Sequence, residues 1–166
     1  MSSTSDQSPQ IVVAVDGSPS SEQALRWAVR QAAATGAEVH AVHAWHLPDL
    51  YGWGAVIDDV DWAENARLVL DRALAEALEP AVAAGVHRHV VEGHATQVLL
   101  DAAADADLLV VGSRGHGGFA GMLLGSVSQH VVAHAACPVV VVRTTPQRVP
   151  AAEPNAVLAA VPVPAT

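Results

Sequence analysis

The sequence contains no lysine, because all eight of its basic residues are arginines, and 17 acidic residues oppose them. The absence of lysine excludes Schiff-base chemistry and the Walker-type phosphate loop, which both require a lysine side chain. The formal net charge of −9 also makes the chain a poor partner for nucleic acid, since such binding depends largely on basic residues that neutralise phosphates. We therefore expect no nucleic-acid partner.

Cysteine and long apolar runs are also scarce. The single cysteine, Cys137, cannot form a disulfide within the chain and cannot build a metal site by itself. No apolar run approaches the roughly 20 residues that a membrane-spanning helix needs. The first residues lack the positive start and apolar stretch of a signal peptide. We therefore expect a cytoplasmic protein with no membrane partner.

The composition predicts one folded domain between two flexible tails. The chain has 166 residues, of which 51% are hydrophobic and 15% charged, which suits a single core. Residues 1–9 are polar and rich in serine, and residues 146–166 are rich in proline and alanine. Such ends are typically flexible, so residues 10–145 are predicted to form the domain.

Short β-branched runs alternate with helical patterns along this domain, as in the βαβ units of α/β proteins. The predicted strands are Ile11–Val15, Glu38–Trp45, Val86–Glu92, Asp107–Val111 and Val139–Arg143. The predicted helices begin at Pro19, Asp61, Thr96 and Gly125 and end at Gly36, Ala84, Ala104 and Ala135. The pattern predicts a single doubly wound, mainly parallel five-stranded sheet with helices on both faces.

Local signals define the ends of these helices. Ser18 is a good N-cap and Pro19 suits the first helical position, while Gly36 supplies a left-handed stop. Thr96 is predicted to cap its helix, and Pro80 to kink or shorten the second one. The aromatic segment from Trp45 to Trp62 is predicted to be a long surface loop. Its aromatic side chains would stack on a ligand or cover an interface, or its Trp residues would face the core.

The segment from Val110 to Ser128, VVGSRGHGGFAGMLLGSVS, suggests phosphate binding. The glycines after its strand can adopt positive φ and expose clustered backbone N–H groups, which favours an anion-binding nest. These glycines are Gly112, Gly115, Gly117 and Gly118. The residues 125–128 form the first turn of a helix, whose N–H groups, dipole and serine hydroxyls attract phosphate. Arg114 is the only full positive charge here, so the backbone and a divalent ion would supply most of the affinity.

Other interpretations of this glycine-rich segment are weaker. A glycine-rich turn can simply connect a strand to a helix. A dinucleotide fingerprint through Gly115, Gly117 and Ala120 would follow the fourth strand, and no acidic residue lies about 20 positions further on to hold a ribose.

The spacing of Gly112, Gly115, Gly125 and Ser126 resembles the motif of the nucleotide-binding branch of the universal stress protein family: Gly, two residues, Gly, nine residues, Gly, then Ser or Thr. The resemblance extends over about residues 10–143. It includes the Asp-Gly-Ser turn after the first strand, the His-Ala-Trp end of the second strand and the final Cys-Pro-Val-Val-Val-Val strand.

The resemblance implies a sheet of order 3-2-1-4-5 with ATP, alone or with Mg²⁺, bound between strands one and four. By position, Asp16 and Gly112 would contact the ribose region and the backbone of Ala44 the adenine edge. Gly115 and residues 125–128 would hold the phosphates. The full set of expected nucleotide-binding residues is Asp16, Gly17, Ala44, Gly112, Ser113, Arg114, Gly115, Gly118, Gly125, Ser126, Val127 and Ser128. For Asp16 an Asx turn that caps the helix is the alternative.

The resemblance further implies a homodimer that pairs through the last strand, Pro138 to Arg143. An apolar edge at Val139–Val142 needs covering, which also favours a dimer. We expect a stress-response sensor or regulator that acts through its ATP-bound state on an unidentified protein partner. Two alternatives stay open: a slow ATPase, and a nucleotide-free dimerising module. The sequence contains no nucleophile elbow and no visible acid–base arrangement around the phosphate loop, so no pattern in it predicts an enzyme.

The nine histidines do not predict a metal site. Strand alternation puts His43 on the opposite face from His40 and His46. The pairs His87/His89 and His130/His134 each share a face, but neither pair has a third ligand in its local sequence. His116 in the glycine-rich loop is expected to be solvated, although a position near phosphates would make binding pH-sensitive.

Overall fold

The computed structural model describes residues 8–47, 61–115 and 123–144. Its strands are β1 Gln10–Ala14, β2 Glu38–Trp45, β3 His87–Glu92, β4 Leu108–Gly112 and β5 Val139–Val142. Its helices are α1 Pro19–Thr35, α2 Trp62–Ala77, α3 Pro80–Ala84, α4 Ala95–Ala102 and α5 Ser126–His134. Every predicted strand is confirmed to within one residue at each end. The aromatic segment and the tails fall largely outside the described residues and stay predictions.

The helix predicted from Asp61 to Ala84 is not continuous, because the structure divides it into α2 and α3. The predicted shortening at Pro80 is confirmed, and the separate helix α3 was not predicted. Leu78, which ends α2, is extended with φ −131° and ψ 152°. Glu79 is also extended, with φ −63° and ψ 146°. The ring of Pro80 disfavours helical geometry at the residue before it, and proline suits the first position of a new helix.

The start of α4 also differs from the prediction. Thr96 lies inside the helix, and the N-cap residue is His94, with no side-chain capping bond. The N-terminus of α1 is as predicted: the side chain of Ser18 accepts a hydrogen bond from the Ser21 N–H, and Pro19 occupies the first turn. Gly36 ends α1 in the left-handed region, with φ 73°. The sequence therefore predicted the N-cap residue of α1 correctly and that of α4 incorrectly.

The five described strands form one sheet in the order β3-β2-β1-β4-β5, and all four pairings are parallel. β1 lies at the centre, with Ala14 paired to Val42 of β2 and Val13 paired to Val110 of β4. The chain therefore winds outward from β1 first in one direction and then in the other. Ligands of such sheets bind beyond the carboxyl ends of the strands, at the point of reversal between β1 and β4.

Two hydrophobic clusters cover the two faces of the sheet. One joins Val13 to Leu25 of α1 and Leu70 of α2. The other joins Val12 to Leu99 of α4, and α5 also contributes to it. Adjacent residues of β1 thus enter opposite clusters, as strand alternation requires. The predicted helices on both faces of the sheet are confirmed.

Within residues 8–47, 61–115 and 123–144, no helix is both long enough and apolar enough to cross a membrane.

Candidate functional site

A cavity of about 410 Å³ opens beyond the carboxyl ends of β1 and β4. This volume lies in the range of ordinary small-molecule sites. The predicted nucleotide-binding residues that line the cavity are Asp16, Ala44, Gly112, Arg114, Gly115, Gly125, Ser126, Val127 and Ser128. The fold therefore gathers residues from three strand ends and one helix start at the point of reversal.

The other predicted binding residues have different positions. Gly17 borders a second cavity. Ser113 is 2% exposed, and its N–H donates to the Val142 carbonyl oxygen while its own carbonyl accepts from the Gly125 N–H, both at 2.8 Å. Ser113 thus anchors the loop after β4 to β5 and α5. Gly118 lies outside the described residues, as does His116.

Asp16 follows β1 and lies next to Gly115 of the loop after β4. Its Oδ1 accepts a hydrogen bond of 2.9 Å from the Ser18 N–H, so the predicted Asx turn is present. Its Oδ2 lies beside Gly115, only 2.5 Å from where a Cβ on that glycine would stand. One carboxylate oxygen therefore shapes the turn, while the residue as a whole remains part of the cavity lining.

The left-handed nest predicted around Gly112 and Gly115 is wrong for these two glycines. Among the described glycines, positive φ occurs at Gly17, Gly36 and Gly93. Gly112 is required for close packing instead, because a Cβ there would stand 2.8 Å from the Ser20 carbonyl carbon and 2.9 Å from its oxygen. The first motif glycine thus lets α1 approach the end of β4.

Two buried serines of the first turn of α1 hold the loop after β4. The Arg114 N–H donates to Ser20 Oγ at 3.4 Å, and Ser18 Oγ donates to the Arg114 carbonyl oxygen at 3.5 Å. Both serines are 4% exposed. This serine clamp was not predicted from the sequence, because its partners lie 94 and 96 residues apart.

The N-terminus of α5 borders the cavity without a side-chain cap, since its N-cap residue is Gly125. The N–H groups of the first helical turn have no acceptor within the helix, and the dipole there is positive. The Gly125 N–H is already used by Ser113. Ser128 Oγ donates to the Gly112 carbonyl oxygen at 2.7 Å, so Ser128 offers the cavity its backbone N–H and not its hydroxyl proton. The backbone N–H groups of residues 126–128 are therefore the helix donors that border the cavity.

An apolar wall completes the cavity at the β2 and α4 side. It is formed by Val42, Ala95, Leu99 and Val111. Sequence reasoning named only Ala44 at this end and missed the wall. Apolar residues at the ends of β2 and β4 are visible in the sequence. They look like ordinary core residues, however, until the position of α4 beside them is known.

A second cavity, of about 400 Å³, lies on the other side of Asp16, where Gly17, His43 and residues of α2 line it. His43 donates from Nδ1 to the Val15 carbonyl oxygen at 2.7 Å, since a carbonyl can only accept. A hydrogen bond of Arg72 to Glu76 raises the pKa of the Arg72 guanidinium above its ordinary value. Arg72 and Glu76, two of the charged residues that line this cavity, are thus already paired with each other.

The chain is similar to universal stress proteins in sequence and in structure. It is 40% identical over 134 residues to one from Mycolicibacterium smegmatis, a match covering 80% of this chain and 45% of the relative. A structure from Lactobacillus plantarum is 25% identical with a TM-score of 0.62, covering 82% of this chain and 99% of that one. A universal stress protein crystallised in complex with cAMP is 31% identical with a TM-score of 0.56, covering 84% and 100%.

The fold and the cavity define a doubly wound α/β protein with a ligand-sized site at the reversal of its parallel sheet. The chain belongs to the universal stress protein family, whose model matches residues 8–143. It spans less than half the length of the curated relatives that it matches, at 45% and 46% of two of them.

Proposed function

We propose that this protein binds ATP in the cavity between β1 and β4 and acts as a stress-response sensor or regulator through its nucleotide-bound state. The observation that carries the proposal is the meeting of the Asp16 carboxylate, an uncapped α5 N-terminus and an apolar wall around one cavity of about 410 Å³. These three elements match the three parts of a nucleotide: sugar hydroxyls, phosphates and base.

The position of each part follows from the chemistry of the lining. The adenine would lie at Ala44, against the apolar wall, where β2 continues beyond the last β1 residue paired to it. The ribose hydroxyls would donate to Asp16. The phosphates would accept from the N–H groups at the start of α5, beside Arg114. The family membership and the relative crystallised with cAMP support a purine nucleotide as the ligand class.

Binding rather than turnover is the proposed activity. Among the described lining residues the one carboxylate is that of Asp16, whose Oδ1 already accepts from Ser18, and no histidine lines the cavity. Without a positioned base, bound ATP and Mg²⁺ should hydrolyse slowly. Phosphate release faster than about 1 per second at saturating ATP, the lower end of ordinary enzyme rates, would favour the ATPase alternative.

The proposal includes a homodimer that pairs through Pro138 to Arg143. β5 is an edge strand of the described sheet, and its four valines are only partly buried. A second copy of this edge would satisfy the backbone groups and cover the apolar surface. The proposed place of action is the cytoplasm, where ATP and a protein partner are both available.

The first test is to purify the protein, denature it and separate the released small molecules by chromatography. The stripped protein is then titrated with ATP, AMP and cAMP by calorimetry, with Mg²⁺ present. We expect ATP in the released fraction or saturable rebinding. If no nucleotide is released and none binds, the cavity is structural and the dimerising-module alternative becomes the leading account.

A second test assigns the ribose contact to Asp16. Asp16→Asn keeps an oxygen that accepts from the Ser18 N–H and removes the carboxylate charge, so the turn should survive. Because ATP and AMP share the ribose, the affinity for both should fall by about the same factor, which we expect to be tenfold or about 1.4 kcal/mol. A loss confined to ATP would assign Asp16 to the phosphates instead.

A further inference from the structure

Four potential ligand side chains meet at the corner of the sheet farthest from the nucleotide cavity. Glu38 and His40 lie near the start of β2, and His87 and His89 near the start of β3. The parallel register pairs His40 with His87 and Val42 with His89. Since residues two apart in a strand share a face, all four side chains lie on the same face of the sheet.

Three of these side chains converge on one point. Glu38 Oε2 lies 3.8 Å from His40 Nε2 and 3.6 Å from His87 Nε2. One ligand atom from each of the three residues lies within 4.8 Å of the other two. The His40 and His87 rings stack with centroids 4.6 Å apart and planes at 19°. The arrangement holds two imidazole nitrogens and a carboxylate oxygen around a common centre.

One tautomer of His40 directs a lone pair of Nε2 into this centre. His40 Nδ1 lies 3.0 Å from His89 Nε2, a distance that requires one shared proton. His40 Nε2 is buried and has no hydrogen-bond partner among the described residues. If Nδ1 donates to His89, Nε2 is an unprotonated acceptor facing Glu38. Metal-binding histidines are oriented in this way, through a hydrogen bond from the other ring nitrogen.

We infer that Glu38, His40 and His87 form a binding site for a divalent transition-metal ion, with Zn²⁺ as the reference ion. Two imidazoles and one carboxylate are a donor set that such ions prefer, and three protein ligands leave positions for water or another group. A tetrahedral Zn²⁺ site needs ligand atoms about 3.3 Å apart, given Zn–N distances near 2.0 Å. Glu38 Oε2 is a few tenths of an ångström too far from each imidazole nitrogen, and the two imidazole nitrogens, within 4.8 Å of each other, are up to about 1.5 Å too far apart. The side chains of Glu38 and His87 are 48% and 52% exposed and can turn to close these gaps.

The local sequence did not predict this site, because its ligands come from two different strands. His87 and His89 were considered as a pair without a third ligand. The third and fourth groups come from β2, 47 residues before His87 in the case of His40, and only the β2–β3 register brings them together.

The test is a Zn²⁺ competition titration against a chromophoric chelator. It uses full-length protein without a histidine tag, stripped of metal by EDTA. The wild type should bind one equivalent at this site. Glu38→Gln and His87→Gln should each weaken Zn²⁺ binding at least tenfold. Both positions are about half exposed, and unfolding curves will verify that the variants fold. Co²⁺ added in place of Zn²⁺ should give visible absorption in the wild type that both variants lose.

The matched control is the double variant His130→Gln/His134→Gln, which removes another close histidine pair, with centroids 4.5 Å apart on α5. It should retain the wild-type Zn²⁺ affinity within about twofold. Failure of the wild type to compete for Zn²⁺ would overturn the inference. Equal affinity of Glu38→Gln, His87→Gln and wild type would also overturn it, as would a loss confined to the control.

His89 is assigned as a positioning residue that orients His40. His89→Ala should weaken Zn²⁺ binding, whereas His89→Gln, whose amide oxygen can accept from His40 Nδ1, should restore most of the affinity. The Co²⁺ spectrum should keep its shape in both variants, because the three ligands are unchanged. A changed spectrum would instead make His89 a direct ligand and overturn this role.

Discussion

Gly112 and Gly125 border the same cavity, yet the space around them differs. A Cβ on Gly112 would stand 2.6 Å from Ser20 Oγ and nearly as close to backbone atoms of Ser20. A Cβ on Gly125 would meet its nearest atom, Arg114 Cα, at 3.6 Å, an ordinary contact. Gly125 also has φ −72°, which any residue can adopt. One glycine is therefore needed by the fold and the other is not.

Gly112→Ala should destabilise the protein, because α1 cannot move away from β4 without disturbing the serine clamp. Overpacking of this kind costs about 1 to 3 kcal/mol of unfolding free energy. Urea unfolding measures it, with Gly125→Ala as the control that should change stability by less than about 1 kcal/mol. Equal stability of the two variants would contradict the packing role of Gly112.

Gly115→Ala should act on the ligand rather than on the fold. Its Cβ would stand 2.5 Å from Asp16 Oδ2, an atom at the end of a side chain that can turn away. The displaced carboxylate should lower ATP affinity at least tenfold, about 1.4 kcal/mol, in calorimetric titrations. Gly85→Ala is the control, since its Cβ would meet only Val82 O at 3.6 Å, outside the cavity. Unchanged ATP affinity of Gly115→Ala would contradict the proposed contact of the Asp16 carboxylate with the ligand.

At the scale of single elements, the strands were predictable, whereas the kind of helix break at Pro80 was not. A buried parallel strand such as β4 is a continuous apolar run, so its ends are visible in the sequence. The helical period continues through Leu78 to Ala84, and hydrophobic periodicity alone could not decide whether Pro80 kinks a helix or starts a new one. The structure decides it through the extended residues Leu78 and Glu79.

At one position of the edge strand β5, a proline can weaken pairing with a second copy without disturbing the pairing of β5 with β4. The Pro138 carbonyl accepts from the Leu109 N–H of β4, and the Val142 carbonyl accepts from the N–H of Ser113, the residue after β4. Because alternate residues of a parallel strand face the same neighbour, Val140 also faces β4, and the Val141 N–H faces outward. A proline at Val141 therefore removes an outward donor and leaves the β4 ladder intact.

Val141→Pro should raise the dimer dissociation constant by about tenfold or more, equivalent to about 1.4 kcal/mol, while the monomer stays folded. Analytical ultracentrifugation over a dilution series measures the change. Val140→Pro is the comparison, because it breaks the ladder to β4 and should lower stability itself. A wild type that stays monomeric at every concentration would refute the dimer proposal.

At the scale of the whole molecule, the site was predictable only in part. The glycine spacing predicted residues of the loop after β4 and of α5, because these are close in sequence. The contacts that join distant segments were missed: Ser20 with Arg114, and His40 with His87. Such pairs depend on strand order and register, which no local pattern contains.

Nucleotide binding should stabilise the entire domain, since the cavity joins residues from both halves of the chain. With ATP at 100 times its dissociation constant, the free energy of unfolding should rise by about 2.7 kcal/mol, provided that the unfolded chain does not bind ATP. Urea unfolding with and without ATP measures this, with inorganic phosphate at the same concentration as the control. An increase that phosphate reproduces in full would show that the base and sugar contribute nothing.

The central position of β1 has a consequence for how the chain folds. Ile11 pairs with Leu108, and the Gln10 N–H bonds to Asp107 across 97 residues of sequence. Long-range parallel pairing of this kind is slow, because the loop must close before the contacts form. During synthesis, one side of β1 therefore stays open until β4 has left the ribosome. The cavity proposed to bind the nucleotide includes residues from the ends of both strands, so it forms only after β1 and β4 have paired.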